Sequence, residues 1–147
     1  PKTLIRCLIE HIAKESEPEL AATLVDISNT PVSPELLPPS DDGTIEQRTE
    51  DVLGPYDLHD FFLFHFIKYG APPNKILYLA EHAFRNEFQP EFIRRCLDSF
   101  IRRFFQQQFK RSCMPDGPKV GTISLSPRGD WRMPSDACGT IWTDQIS

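Results

Sequence analysis

Five basic residues, Lys110, Arg111, Lys119, Arg128 and Arg132, are spread through a stretch from Gln106 to Asp136. Pro115, Gly117, Pro118, Gly121, Pro127, Gly129 and Pro134 punctuate that stretch. Proline fixes φ and removes a donor while glycine frees the backbone, so this spacing forbids a long helix and favours turns. An irregular stretch of such length is uncommon inside a compact domain without a functional reason. Cations on a rigid loop after a helix end suit an anionic ligand, most simply a phosphate or carboxylate. They equally suit carboxylates of the protein itself, as exposed ion pairs contributing about 0–1 kcal/mol each. Composition alone favours the second reading. Lys110 and Arg111 stand apart because they sit where the preceding helical pattern gives way, a position where cations complement the helix dipole by about 0.3–1 kcal/mol.

The elements that must position these residues are helical. Pro1 suits a first helical turn, and Leu4, Ile5, Leu8, Ile9 and Ile12 recur at helical spacing up to about Ser16. Pro18 to Asp26 offers a second short helix through Leu20, Ala21, Leu24 and Val25. Residues 29–49 are polar and rich in proline and turn residues, too long for a routine connection, and read as a mobile lid-like loop. Tyr56 to Tyr69 is apolar on nearly every side and is predicted to be a buried core helix, with Gly70 at its end. Asn74 is a plausible cap for a helix through Ile76, Leu77, Leu79, Ala80 and Phe84. Pro90 opens the longest helix, whose buried stripe is predicted as Phe92, Cys96, Leu97, Phe100, Ile101, Phe104 and Phe105. Arg94, Asp98 and Arg102 are spaced to pair on its wet face. Val120, Ile123 and Leu125 make one short strand or none. The fold class expected is a mainly α chain of four to five helices followed by a long irregular loop.

Charge is segregated along the 147 residues, whose net charge is −5. Residues 1–60 carry 4 basic and 13 acidic side chains, whereas residues 90–134 carry 9 and 4. The acidic half argues against general nucleic-acid affinity, and the basic half leaves room for one anionic site or for attraction between the halves. No apolar run approaches a membrane span, since His59, Asp60, His65 and Lys68 interrupt the longest. Cys7, Cys96, Cys113 and Cys138 show no close pair and no metal-type spacing; Cys7 and Cys96 fall on predicted apolar helix faces. His11, His59, His65 and His82 form no ligand constellation. Reduced cysteines and the lack of a signal peptide point to the cytoplasm. The chain opens on Pro1 rather than methionine, as a processed or partial chain would.

Longer motifs then narrow the reading. Gln-Phe-Lys-Arg-Ser (108–112), Pro-Asp-Gly-Pro-Lys-Val (115–120) and Leu-Ser-Pro-Arg-Gly-Asp-Trp-Arg-Met-Pro-Ser-Asp (125–136) resemble the carboxy-terminal end of glutamine-dependent NAD synthetases. Glu-Asp-Val-Leu-Gly-Pro-Tyr-Asp-Leu-His-Asp-Phe-Phe (50–62) resembles the segment that precedes it in that family, and Ile141 to Ile146 resembles its end. The resemblance covers essentially the whole chain, in the same order. It implies that residues 1–147 are the carboxy-terminal portion of an α/β, Rossmann-like synthetase domain. That domain activates the carboxylate of nicotinic acid adenine dinucleotide with ATP and amidates it with ammonia from glutamine. ATP and Mg²⁺ are then implied as substrates, with no tightly bound cofactor. The partners implied are the rest of the synthetase chain, including its glutaminase domain, and further copies of it in a homo-oligomer.

The same resemblance assigns residues. Lys110 is the first choice to meet the carboxylate or a phosphate of the deamido-dinucleotide, because the family presents a residue pair there, His-Lys in its smaller members. Phe109 in place of histidine loses a donor and keeps packing or stacking; Arg111 supports Lys110 or binds anions itself. Ser33 matches a hydroxyl residue near the nucleotide, although Ser-Pro-Glu stands where the smaller enzymes have Thr-Ala-Asp. Glu50 is the acidic position placed to approach magnesium, which prefers oxygen ligands. Arg128, Asp130, Trp131 and Arg132 are expected to fix the 106–136 loop that faces substrate. No Ser-Gly-Gly-x-Asp-Ser pyrophosphate loop occurs in the sequence, so no catalytic residue is assigned and the chain alone is expected to be silent.

Two rivals remain at this point. One is a free-standing helical interaction module that uses the oily 56–69 helix as its partner face. The other is a single-strand nucleic-acid binder built on the Arg/Phe-rich region 92–111, which the placement of its phenylalanines on the buried stripe disfavours. Arg128-Gly129-Asp130 also spells a cell-adhesion tripeptide that nothing else in the sequence supports.

Overall fold

A computed structural model describes residues 1–30 and 53–146. The lid-like loop expected at 29–49, apart from Asn29 and Thr30, lies outside the described residues. Ser33 and Glu50 lie outside them too. The described residues are helical, with no strand among them, so Val120, Ile123 and Leu125 form none. The chain divides into two compact units, Pro1–Asp60 and Phe61–Ser147.

In the first unit, helix α1 (Lys2–Glu15) packs on α2 (Pro18–Asn29). Ser16 closes α1, its hydroxyl donating to the Ile12 carbonyl at 2.7 Å. Pro18 opens α2, which runs three residues past Asp26, the end expected from its apolar spacing. Ala13 is buried, whereas Leu4, Ile5, Leu8 and Ile12 stay half-exposed or more. Cys7 is also exposed, contrary to its expected place on a covered face. Helix α3 (Tyr56–Leu63) starts in this unit, and its Asp60 carboxylate accepts from both the Thr3 amide and the Thr3 hydroxyl, at 2.7 and 2.6 Å. An acid there satisfies an orphan donor and complements the positive end of α1.

The second unit is organised on one long helix. The α3 register widens to a π-helical turn over Phe64–Lys68, and Gly70 ends it at φ +58°, a conformation natural to glycine. The predicted all-round burial of 56–69 needs correction: Phe62 and Phe66 are buried, but Phe64 is 47% and Tyr69 62% exposed. The widened turn rotates Phe64 outward, where Lys68 lies over its ring at 5.0 Å. Helix α4 (Pro73–Ala83) begins one residue before the expected cap. Pro72 occupies the cap position, and Asn74 sits inside the first turn, accepting from the Lys75 amide at 2.7 Å.

Helix α5 (Pro90–Gln106) buries Ile93, Cys96, Leu97, Phe100, Ile101, Phe104 and Phe105. These recur at three- and four-residue steps, the stripe an amphipathic helix presents to a core. Each buried aliphatic or aromatic member contributes about 1.5–3 kcal/mol. Ile93 takes the place expected of Phe92, which is half-buried against Phe88 at 5.6 Å between rings. Cys96 is buried as expected, and desolvation raises its thiol pKa. The Arg94–Asp98–Arg102 ladder is only half formed. Arg102 donates to Asp98 at 2.8 Å, while Arg94 reaches the Ile146 carbonyl at 2.5 Å instead. That bond ties down the C-terminal segment, in which short helix α7 (Thr140–Thr143) sets the Trp142 ring 5.2 Å from Phe66. Helix α6 (Gln108–Ser112) follows α5 directly.

Candidate functional site

The site grows from the break at Gln107. Its backbone leaves the helical region there (φ −96°, ψ 13°), ending α5 before the five residues of α6 begin. Within α6 a spacing of three puts Gln108 and Arg111 on one face, while Phe109 and Lys110 face elsewhere. Burial follows that division. Gln108 is wholly buried and Arg111 half-buried, whereas Phe109 is 52% exposed and Lys110 is exposed.

The buried pair forms a relay. Arg111 donates from Nε to Gln108 Oε1 at 2.8 Å and from Nη2 to the Phe104 carbonyl. Its guanidinium also lies 4.2 Å over the Phe104 ring. Gln108 donates from Nε2 to the Met133 carbonyl at 3.0 Å. The end of α5, the face of α6 and the returning loop are thereby joined through two side chains. Desolvation lowers the Arg111 pKa, though a guanidinium starts so high that it remains charged near neutrality. Periodicity and charge do not mark Gln108; its signal in the sequence is an amide three residues before an arginine, directly behind an apolar stripe.

The loop is cross-braced farther out. Arg128 donates to Asp116 at 2.6 Å, to the Ser112 carbonyl at 3.5 Å, and to the Met114 carbonyl. Asp130 accepts from Lys119 at 2.7 Å and from the Ser124 amide at 2.8 Å. Those two contacts hold the Asp130 carboxyl below its usual pKa. Trp131 lies 5.2 Å from Phe104 and 5.6 Å from Phe66, ring to ring, and Arg132 donates to the Gly129 carbonyl at 3.3 Å. With the charges of Arg128 and Asp130 both turned to internal partners, 128–130 does not present a free adhesion tripeptide.

Four of the five loop cations are thus occupied by the protein itself. Lys110 differs: among the described residues its ammonium has no carboxylate or hydrogen-bond partner. Phe109 and Lys110 are presented outward from a braced frame, while Arg111, expected to support Lys110 or to bind anions, is turned inward. No group of three His, Cys, Asp or Glu among the described residues is placed to hold a metal ion. None of their helices is long and apolar enough to cross a membrane.

Curated relatives align with nearly the whole chain. No family model matches the chain. It is 40% identical over 166 aligned positions to the glutamine-dependent NAD(+) synthetases of Mycobacterium tuberculosis and Mycobacterium bovis, and equally to that of Mycobacterium leprae. Each alignment covers 99% of this chain and 24% of the relative. The chain matches the carboxy-terminal part of glutamine-dependent NAD(+) synthetases. It spans about a quarter of the length of the curated NAD(+) synthetases it matches. A match over nearly the whole chain gives no support to a free-standing interaction module. The burial of Phe100, Phe104 and Phe105 likewise makes those three rings unavailable for stacking on bases.

Proposed function

We propose that this chain forms one wall of the deamido-dinucleotide site in an ATP-dependent carbon–nitrogen ligase, a glutamine-dependent NAD synthetase. The reaction in this reading begins when the carboxylate of nicotinic acid adenine dinucleotide attacks the α-phosphorus of ATP and expels pyrophosphate. The acyl adenylate so formed carries AMP as a good leaving group, which a free carboxylate lacks. Ammonia released from glutamine in another domain then displaces AMP and yields the amide. The adenylate must be shielded from water meanwhile. Lys110 is assigned to the carboxylate or a phosphate of the dinucleotide, Phe109 to packing beside it, and Arg111 to holding α6. Arg128, Asp130, Trp131 and Arg132 keep the loop in place. Ser33 and Glu50 remain assigned to the nucleotide side, Glu50 near magnesium, from the motif match alone. The cytoplasm, where ATP, glutamine and free thiols occur together, is the location that suits this chemistry.

The observation that carries the reading is the exposed ammonium of Lys110, unpaired among the described residues, on a frame whose other cations are spoken for, within the Phe-Lys-Arg motif. In the complete enzyme, Lys110→Ala should raise the deamido-dinucleotide KM roughly tenfold to 150-fold, the equivalent of about 1.5–3 kcal/mol for a hydrogen bond to a charged group. Arg103→Ala, an exposed α5 arginine, is the matched control and should leave that KM unchanged. Arg94 would be a poor control, because it holds the Ile146 carbonyl. Equal effects from the two substitutions would return Lys110 to an ordinary surface cation. The 147 residues by themselves should make no NAD from dinucleotide, ATP and ammonia, since they contain no pyrophosphate loop. Turnover above background by a clean preparation would overturn that expectation.

A further inference from the structure

We infer that Gln108 and Arg111 are the positioning residues for Lys110, acting as a buried latch that fixes α6 between the end of α5 and the returning loop. The inference rests on the reading of Lys110 given above. A five-residue helix has too few internal hydrogen bonds to hold its own orientation, so something outside it must. The bonds that do so converge on one face. Arg111 grips the Phe104 carbonyl and ring from one side, and Gln108, which accepts from Arg111 at 2.8 Å, grips the Met133 carbonyl at 3.0 Å from the other.

Gln108 is wholly buried, unlike the exposed braces at Arg128 and Asp130. A buried amide that loses its partners leaves desolvated groups behind, whereas an exposed brace exchanges its bonds for water. The latch, rather than the outer braces, therefore sets the direction in which Lys110 points. Both latch residues have a donor geometry that a simpler side chain cannot reproduce. Lysine at 111 would keep the charge but lose the fork and the planar stacking on Phe104. Glutamate at 108 would still accept from Arg111 but could not donate to Met133.

The test uses the complete enzyme with Gln108→Glu, Gln108→Met and Arg111→Lys, each alone and combined with Lys110→Ala. The readouts are the KM for the deamido-dinucleotide, the KM for ATP, and thermal unfolding. Gln108→Met and Arg111→Lys should raise the dinucleotide KM by roughly five- to twentyfold, as loss of a buried hydrogen bond to a charged group implies, with the ATP KM moving less than about twofold. Gln108→Glu should fall between wild type and Gln108→Met, and it carries the test if Gln108→Met does not fold. On the Lys110→Ala background all three should add less than about twofold, because residues acting through one group are not additive. Full multiplication on that background, or equal rises in both KM values, would show a general structural role and overturn the latch. A large Lys110→Ala effect beside silent Gln108 and Arg111 variants would overturn the latch alone. A silent Lys110→Ala would overturn both the latch and the reading beneath it.

Discussion

Phe66 offers the sharpest test of how the second unit is held together. Its side chain is 2% exposed and its ring lies 5.0 Å from Phe104, 5.2 Å from Trp142, 5.6 Å from Trp131 and 6.2 Å from Phe100. One residue of the π-helical turn thus touches α5, the loop and the C-terminal segment. Truncating a buried phenylalanine to alanine costs about 3–5 kcal/mol. A unit of this size has a total stability of about 4–13 kcal/mol, so Phe66→Ala should remove roughly a fifth of it at the least and can remove it all. Phe66→Leu keeps most of the buried volume but loses the ring pairings, worth about 0.5–1.5 kcal/mol each beyond area and not fully additive. A loss of about 1–3 kcal/mol is expected for it. The protein has two tryptophans, Trp131 and Trp142, both in this unit and both against Phe66. Urea unfolding followed by tryptophan emission therefore reports the unit directly. The red shift on unfolding should come at lower urea for Phe66→Leu, and native Phe66→Ala should already emit to the red. Phe64→Ala, two residues away and 47% exposed, should cost no more than about 1 kcal/mol. If the Phe64 and Phe66 substitutions shift the midpoint equally, the packing argument is wrong.

Two further outcomes follow from single contacts. A Cβ on Gly139 would sit 2.7 Å from Cδ2 and 3.0 Å from Cγ of the Phe105 ring, which is itself buried and cannot swing clear. Gly139→Ala should therefore lower the thermal midpoint by the equivalent of about 1–3 kcal/mol of overpacking, while Gly117→Ala, with nothing near its Cβ, should be close to neutral. The Asp130 carboxyl is held below its ordinary value by Lys119 and the Ser124 amide. A depressed folded pKa means its contribution is complete above the unfolded value and lost as pH falls through the folded one. The stability gap between wild type and Asp130→Asn should accordingly hold steady above the ordinary carboxylate range and narrow as pH falls below it, and a gap unchanged by acid would refute the pairing.

Local spacing determined much of this protein. The apolar periodicity of 90–106, the prolines at 18 and 90 and the glycine at 70 declare helix starts, stops and faces, because those signals act within one turn of chain. The Phe-Lys-Arg motif and the turn residues behind it also located the candidate site without any contact being known. Tertiary structure decided what each loop residue does there. Periodicity gives no reason for the helix to break at Gln107, which carries neither glycine nor proline, yet that break turns Arg111 inward and Lys110 outward. Nor does it show that Gln108 meets a carbonyl 25 positions later, or that Arg94 leaves Asp98 for Ile146. The widening at Phe64 is likewise invisible in a run that is apolar on every side, since such a run specifies burial but no register. Pairings made across the sequence depend on which surfaces meet after collapse, and charge or spacing alone leaves several partners equally good. Here Gln108 and Arg111 hold the buried side of α6, while Arg128 and Lys119 are taken by Asp116 and Asp130.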